Sequence, residues 1–263
     1  MIISSVHNKK ILQLRKLYKS RERKLSDVFV AEGVKEVERG IKSGFEVVSL
    51  YYCPDIYSRN ISELLRNTST EIPVFELEKK VYEKVAYRDN TEGVLAVFRK
   101  KVYTLNDFVS DENSLFVVLE SVEKPGNLGA VLRTADAANV NAIILTESRV
   151  DQYHPNVIRS SIGAAFTVPV VVTTNIELKQ WFDTNNIGYY SAALPSYTNI
   201  YNVDMKKSIA VIFGTESQGL SSFWLKEKEK IFTIPMSGIV DSLNVSVSVA
   251  VTVYEALRQR NSL

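Results

Sequence analysis

The sequence predicts a layered α/β protein in two parts, and three observations carry that expectation. Short apolar, β-branched runs alternate with helix-like segments along the whole chain. A polar, aperiodic stretch, Arg99-Lys-Lys-Val-Tyr-Thr-Leu-Asn106, interrupts the alternation and marks a linker. Beyond it, three segments rich in Gly, Asn and Ser each lie where a strand-like run gives way to a helix start. That is the edge at which open α/β sheets collect ligands.

In the first part, residues 11–25 place Ile11, Leu14, Leu17, Tyr18 and Leu25 among basic side chains, the pattern of an amphipathic helix. Residues 28–30 read as a short strand, 32–43 as a helix stopped by Gly44, and 46–52 as a strand ended by Cys53-Pro54. Helices over 61–66 and 78–85 alternate with strands over 72–75 and 94–98. In the second part, strands are expected over 115–119, 142–145, 168–172, 188–192, 209–213 and 230–234. Helices are expected over 128–138, near 156–161, over 176–184, around 221–228 and over 244–258. This order implies a mostly parallel sheet covered on both faces.

The 263 residues, 45% apolar and 24% charged, suit a soluble globular protein with one large or two medium domains. Net charge is only +2, but Lys9, Lys10, Arg15, Lys16, Lys19, Arg21, Arg23 and Lys24 crowd one stretch, opposed by Glu22 alone. Such a cluster fits a polyanion, and it fits a solvated helix face equally well. Cys53 is the single cysteine, so no internal disulfide forms, and His7 and His154 lack metal-ligand spacing; no metal is expected. The apolar length at the N-terminus is too short for a signal peptide and no run approaches a membrane span, so a cytoplasmic protein is expected.

The three segments carry the chemistry. In the first, Leu119-Glu120 ends a strand and Pro125-Gly126-Asn127 turns into a helix. Asn127 either caps that helix through its amide oxygen or serves a site. Arg133, six positions on and nearly two turns away, reads as sharing a face with the helix start, where it would complete a phosphate-binding corner. Glu120, Asp136 and Glu216 are its alternative, structural partners. In the second segment, Gly214 would let a backbone approach a ligand, Gly219 would allow positive φ, and Glu216 is at minimum a turn carboxylate. Its spacing is not that of a nucleophile elbow. In the third, Ile234-Pro-Met236 ends a strand, and Ser242-Leu-Asn244 opens the last helix. Met236 and Leu243 suit either an adenine slot or ordinary core packing. No G-x-G-x-x-G follows a strand, which disfavours a dinucleotide oxidoreductase.

Taken in order, Asn127-Leu-Gly-Ala-Val-Leu-Arg133-Thr-Ala135, Phe213-Gly-Thr-Glu216-Ser-Gln-Gly219-Leu and Ile234-Pro-Met236 with Ser242-Leu-Asn244-Val-Ser246 resemble the three motifs of the SpoU (TrmH) family of RNA ribose 2′-O-methyltransferases. The likeness spans roughly Leu115 to Arg260. It implies an α/β trefoil-knot methyltransferase domain over 106–263 that binds S-adenosyl-L-methionine and forms a homodimer. Asn127 and Arg133 match the asparagine and catalytic arginine of the first motif; Glu216 and Asn244 support them. Gly214, Ile234, Met236, Ser242 and Leu243 would surround the methyl donor. Val30-Ala-Glu32-Gly33 and the helix after it look like a smaller substrate-binding domain of L30e type over 1–100, which would use the basic cluster on RNA. The implied activity is methylation of a ribose 2′-hydroxyl in structured RNA, 23S ribosomal RNA favoured over transfer RNA. A non-catalytic RNA-binding protein of the same fold is the alternative.

Overall fold

The computed structural model describes residues 2–66, 68, 71–88, 92–196 and 198–261. In chain order the elements begin β1 (Ile2–Ile3), α1 (Lys9–Lys16), α2 (Ser20–Leu25), β2 (Val28–Glu32), α3 (Val34–Lys42), β3 (Val47–Tyr52), α4 (Ile61–Leu65), β4 (Val74–Leu77), α5 (Lys79–Val85) and β5 (Val94–Arg99). They continue with β6 (Leu115–Glu120), α6 (Pro125–Ala137), β7 (Ala142–Thr146), α7 (Pro155–Ser160), β8 (Val170–Thr173), α8 (Asn175–Thr184) and β9 (Gly188–Ala192). The last are β10 (Thr198–Asn199), β11 (Ile209–Phe213), β12 (Ile231–Thr233) and α9 (Val245–Asn261). The chain forms two compact units: Met1–Lys101 with Asp151–Thr167, and Val102–Val150 with Val168–Leu263.

In unit one the described residues form a mixed sheet of order β1-β4-β3-β5-β2, in which β5 runs antiparallel to β2 and β3. Strand alternation splits its side chains between two cores. Phe29, Leu50, Ala96 and Phe98 face one side with Val37 and Ile41 of α3, and Tyr153, Ile158 and Phe166 from the 151–167 segment complete that core. Val30, Tyr51, Leu95 and Val97 face the other side with Ile11 and Leu14 of α1 and Val81 and Tyr82 of α5. The segment 151–167 follows β7 in sequence yet belongs to this unit.

The helix expected over 11–25 is broken in two. Arg23, almost fully buried, donates from Nη1 to the Leu17 carbonyl at 2.9 Å, taking the acceptor that a continuous helix would offer to residue 21. The first part's third helix starts at Val34, because β2 keeps Glu32 in register against Leu95, and β4 lies two residues later than expected. The two-residue strands β1 and β10 carry too little pattern to be read from sequence.

In unit two the described residues form a wholly parallel sheet of order β10-β12-β9-β11-β6-β7-β8. β6, β7 and β11 are buried at every position, as a sheet covered on both faces requires. Leu178, Trp181 and Phe182 of α8 cover one face over Phe116, Val118, Ile144 and Ile212. α6 and α9 pack on each other, and α9 reaches β11. No helix forms over 221–228: the chain there makes turns that end in a short 3-10 turn, Lys228–Lys230. The anchors of this stretch point different ways, since Ser221 bonds Glu120 while Trp224 is buried and bonds Asn175. No helix among the described residues is long and apolar enough to cross a membrane.

Candidate functional site

The C-terminal ends of β9, β11 and β12 and the first turn of α9 enclose a cavity of about 300 Å³ in unit two. Gly214, Ile234, Met236, Ser242 and Leu243, the residues expected around a ligand, all line it, and so does Glu216. Its apolar walls are Phe213, Leu220, Leu225 and Phe232. Ala192, Ala193 and Leu194 after β9 also line it. That stretch has no glycine or polar signature, and its place comes only from the sheet order that sets β9 between β11 and β12.

Gly214 differs from expectation in what it approaches. A Cβ built there would lie 2.1 Å from the Gly219 carbonyl oxygen, so the close approach is to its own loop. Thr215 and Gly219 exchange backbone hydrogen bonds of 3.1 and 3.0 Å, and Gly219 turns the chain at φ +65°. The loop thus folds back on itself and presents Glu216 at the rim.

Glu216 gathers the three segments. Its Oε2 accepts from Lys124 Nζ at 2.7 Å, and its Oε1 accepts from Asn127 Nδ2 at 3.2 Å and from Asn244 Nδ2. Asn244 Oδ1 caps α9 by accepting from the Ser246 amide at 3.0 Å and the Ser246 hydroxyl at 2.6 Å. Asn244 Nδ2 also donates to Asn127 Oδ1 at 3.3 Å. Asn127 is therefore not a helix cap: α6 begins at Pro125 with Lys124 in the cap position, and Asn127 sits in the first turn. The Lys124 hydrogen bond, then the Asn127 amide and the Val245 backbone amide, hold the Glu216 carboxyl below its ordinary range despite partial desolvation. A carboxylate between the first turns of α6 and α9 also lies at the positive ends of two helix dipoles.

Arg133 is exposed on α6. Two of its candidate structural partners are committed elsewhere: Glu216 as above, and Glu120 to Ser221 and Asn175. At 100° per residue it lies about 120° round the helix from Asn127 and roughly 9 Å further along, so the two do not share one face. Beneath the site, buried Glu120 accepts from the Ser221 amide at 2.7 Å, the Ser221 hydroxyl at 2.6 Å and Asn175 Nδ2 at 2.6 Å. Trp224 Nε1 closes the network on Asn175 Oδ1 at 2.9 Å. Glu120 carries no local signal as a site support, since its donors lie 55 and 101 residues away.

In unit one, Lys9, Lys10, Arg15, Lys16, Lys19, Arg21 and Lys24 are exposed. Arg23 is not, which removes it from the residues free to meet a polyanion. Its Nε forms a 2.6 Å ion pair with Asp151, and its backbone carbonyl accepts from Lys100 at 2.5 Å. His154 caps α7 through Nδ1, which accepts from the Asn156 amide, and burial pushes its pKa down.

Known proteins resemble this chain along nearly its whole length. The model of the SpoU rRNA Methylase family matches residues 114–254, and that of the MRM3-like substrate binding domain matches residues 8–96. An uncharacterized tRNA/rRNA methyltransferase of Synechocystis sp. is 30% identical over 98% of this chain and 94% of its own. The 23S rRNA (guanosine(2553)-2'-O)-methyltransferase RlmP of Bacillus subtilis is 26% identical over 96% of this chain and 97% of its own. Among solved structures, an AdoMet-bound rRNA methyltransferase from Sinorhizobium meliloti superposes with a TM-score of 0.90 at 27% identity, covering 98% of this chain and 97% of that one. An RNA 2'-O ribose methyltransferase superposes at 0.86 with 32% identity, covering 99% and 100%.

Proposed function

The chain belongs to the SpoU rRNA methylase family, and on that footing we propose that it transfers a methyl group from S-adenosylmethionine to a ribose 2′-hydroxyl of structured RNA. The observation that carries this reading is one cavity in unit two lined by parts of the second and third segments, with Glu216 at its rim bonded to Asn127 and Asn244. The likeness to the 23S rRNA methyltransferase of Bacillus subtilis supports 23S ribosomal RNA over transfer RNA as the substrate.

The residues present fit the donor. The volume of about 300 Å³ falls at the lower end of small-molecule sites. Phe213, Ile234, Met236 and Leu243 offer an apolar slot for a planar base. Among the described residues, Met236 to Ser242 make no backbone hydrogen bonds, which leaves their amides and carbonyls to read a base edge.

When bound, S-adenosylmethionine supplies an activated methyl on sulfur. Arg133 then has a positioning task, because its planar fork matches an RNA phosphate and stabilises negative charge developing on the hydroxyl oxygen. A guanidinium resists deprotonation, so the proton leaves through water or phosphate and not through Arg133. Glu216, Asn127 and Asn244 keep the strand ends and helix starts in register around the reacting atoms. The exposed cations of α1 and α2 would hold RNA phosphates, in keeping with an RNA-binding role of L30e type for unit one.

We further infer a homodimer through α9, where Val247 and Tyr254, seven residues apart on one face, stay exposed together with Ile239 and Val240 before it. A deep trefoil knot formed by the 214–220 and 234–244 segments, and a cytoplasmic location, belong to the same reading. Calorimetric titration with S-adenosylhomocysteine in the presence of a chelator tests donor binding, and no heat at millimolar ligand would refute it. Mapping ribose methylation in RNA from a deletion strain tests the substrate.

A further inference from the structure

The geometry points to Lys124 as a positioning residue that holds the Glu216 carboxylate with one oxygen turned to the amides of Asn127 and Asn244. The amides leave Glu216 little choice of chemistry. Asn244 Oδ1 is committed to Ser246, so its Nδ2 must face Glu216 and Asn127. Asn127 Oδ1 receives the Asn244 amide, so its own Nδ2 also points at Glu216 Oε1. Two N–H donors meeting at one oxygen need an acceptor, which an ionised carboxylate always is and a carboxylic acid is only in part.

Lys124 supplies what keeps that carboxylate ionised and oriented. It grips Oε2 at 2.7 Å, opposite the oxygen that serves the amides. Its own place is otherwise unfavourable, since a cation in the cap position of α6 meets the positive end of the helix dipole. The Lys124 side chain is 72% exposed and that of Glu216 29%, so as a surface pair it adds little to global stability. Its effect is local, on the orientation of a rim carboxylate of the cavity. The other polar groups around Glu216 are the Val245 amide from α9, Thr215 and Gln218 of its own loop, and Asp241 before α9; Glu123 lies beside Lys124. None of these adds a second cation to the carboxylate.

The test compares wild type, Lys124→Met and Lys124→Arg in the full chain. The first readout is the pH dependence of the Asn127 and Asn244 side-chain amide signals by NMR in the ligand-free protein. Glu216 is depressed in the folded state, so its contacts are complete above the ordinary carboxylate range and are lost as pH falls through the folded value. In Lys124→Met that loss should come at higher pH, and Lys124→Arg should restore it toward wild type. The second readout is S-adenosylhomocysteine affinity, and it alone rests on the donor-binding reading of the cavity. Near pH 4, within the ordinary carboxylate range, Lys124→Met should bind about two- to fivefold more weakly than wild type, the factor a surface ion pair commands, and at pH 8 the two should converge. Superimposable amide titrations in wild type and Lys124→Met would overturn the assignment. Shifted amide titrations with no ligand binding by any of the three proteins would instead overturn the methyl-donor reading and leave Lys124 in its role.

Discussion

The Glu120 carboxylate accepts both the amide and the hydroxyl of Ser221, at 2.7 and 2.6 Å, and so ties the end of β6 to the residue that follows the Gly214–Leu220 loop. Glu120 is buried, and every donor the structure gives it is neutral: Ser221 on both oxygens and Asn175 on one. The loop that carries Glu216 is thus held at its exit by a residue from the first segment and at its rim by Asn127 and Asn244.

Glu120→Ala should destabilise the protein by about 2–4 kcal/mol, because it strands the Ser221 and Asn175 donors in a buried site. Urea denaturation measures this. Glu120→Gln, which keeps the shape and one acceptor, should cost less. Equal losses in the two variants would show that the negative charge, and not the acceptor geometry, is what the network needs.

Gly214→Ala should collapse the cavity at the ends of β9, β11 and β12. The added methyl would meet the Gly219 carbonyl at 2.1 Å, a backbone atom that cannot turn aside. Gly126→Ala is the matched control, since a Cβ there meets nothing within 4 Å and alanine favours the helix. Isothermal titration with S-adenosylhomocysteine should show binding lost in the first variant and kept in the second.

Arg133→Ala should abolish methyl transfer while donor affinity stays within a few fold, as Arg133 does not line the cavity. Arg133→Lys should retain about a hundredth of the rate or less, since a lysine keeps the charge without the planar fork and misplaces the hydroxyl. Single-turnover methylation of 23S ribosomal RNA at saturating donor is the measurement. A wild-type rate in Arg133→Ala would move the catalytic role to another residue.

Within the basic stretch, Arg23 should behave unlike its neighbours. Arg23→Ala leaves Asp151 unpaired beside a buried site and should cost unit one about 3–5 kcal/mol, visible as a lowered melting temperature. Lys16→Glu and Arg21→Glu should leave stability nearly unchanged. On the proposed RNA-binding role of this stretch, they should weaken RNA binding and flatten its dependence on salt, because each would remove a phosphate contact. If the salt slope is unaltered, the exposed cluster is only a solvated face.

Much of the cavity was legible in the sequence because its lining is local. Gly214, Ile234, Met236, Ser242 and Leu243 all lie within the second and third segments, each directly after a strand or directly before α9. Arg23 misled for the opposite reason: a basic residue among basic residues reads as surface, and its burial depends on Asp151, 128 positions away. Residues 221–228 misled because their local pattern suits a helix, while Ser221 and Trp224 are drawn to partners in β6 and α8. Gly214 reads in the sequence as a point where a backbone approaches a ligand, whereas the close approach in the structure is to Gly219 of its own turn.

By itself the sequence determined the α/β class, the order of nearly all the elements and the three segments that meet at one sheet edge, because strand and helix periodicities are properties of neighbouring residues. Tertiary structure alone decided which contacts those elements make. It brought β9 between β11 and β12 so that Ala192–Leu194 became part of the cavity wall. It packed residues 151–167 with the first unit, where Tyr153, Ile158 and Phe166 complete a core begun by Phe29 and Phe98. It turned the carboxylate of Glu216 into the joint between Lys124, Asn127 and Asn244. Burial and hydrogen-bond pairing depend on distance in space, and the linear order of residues leaves that distance open until the chain has closed on itself.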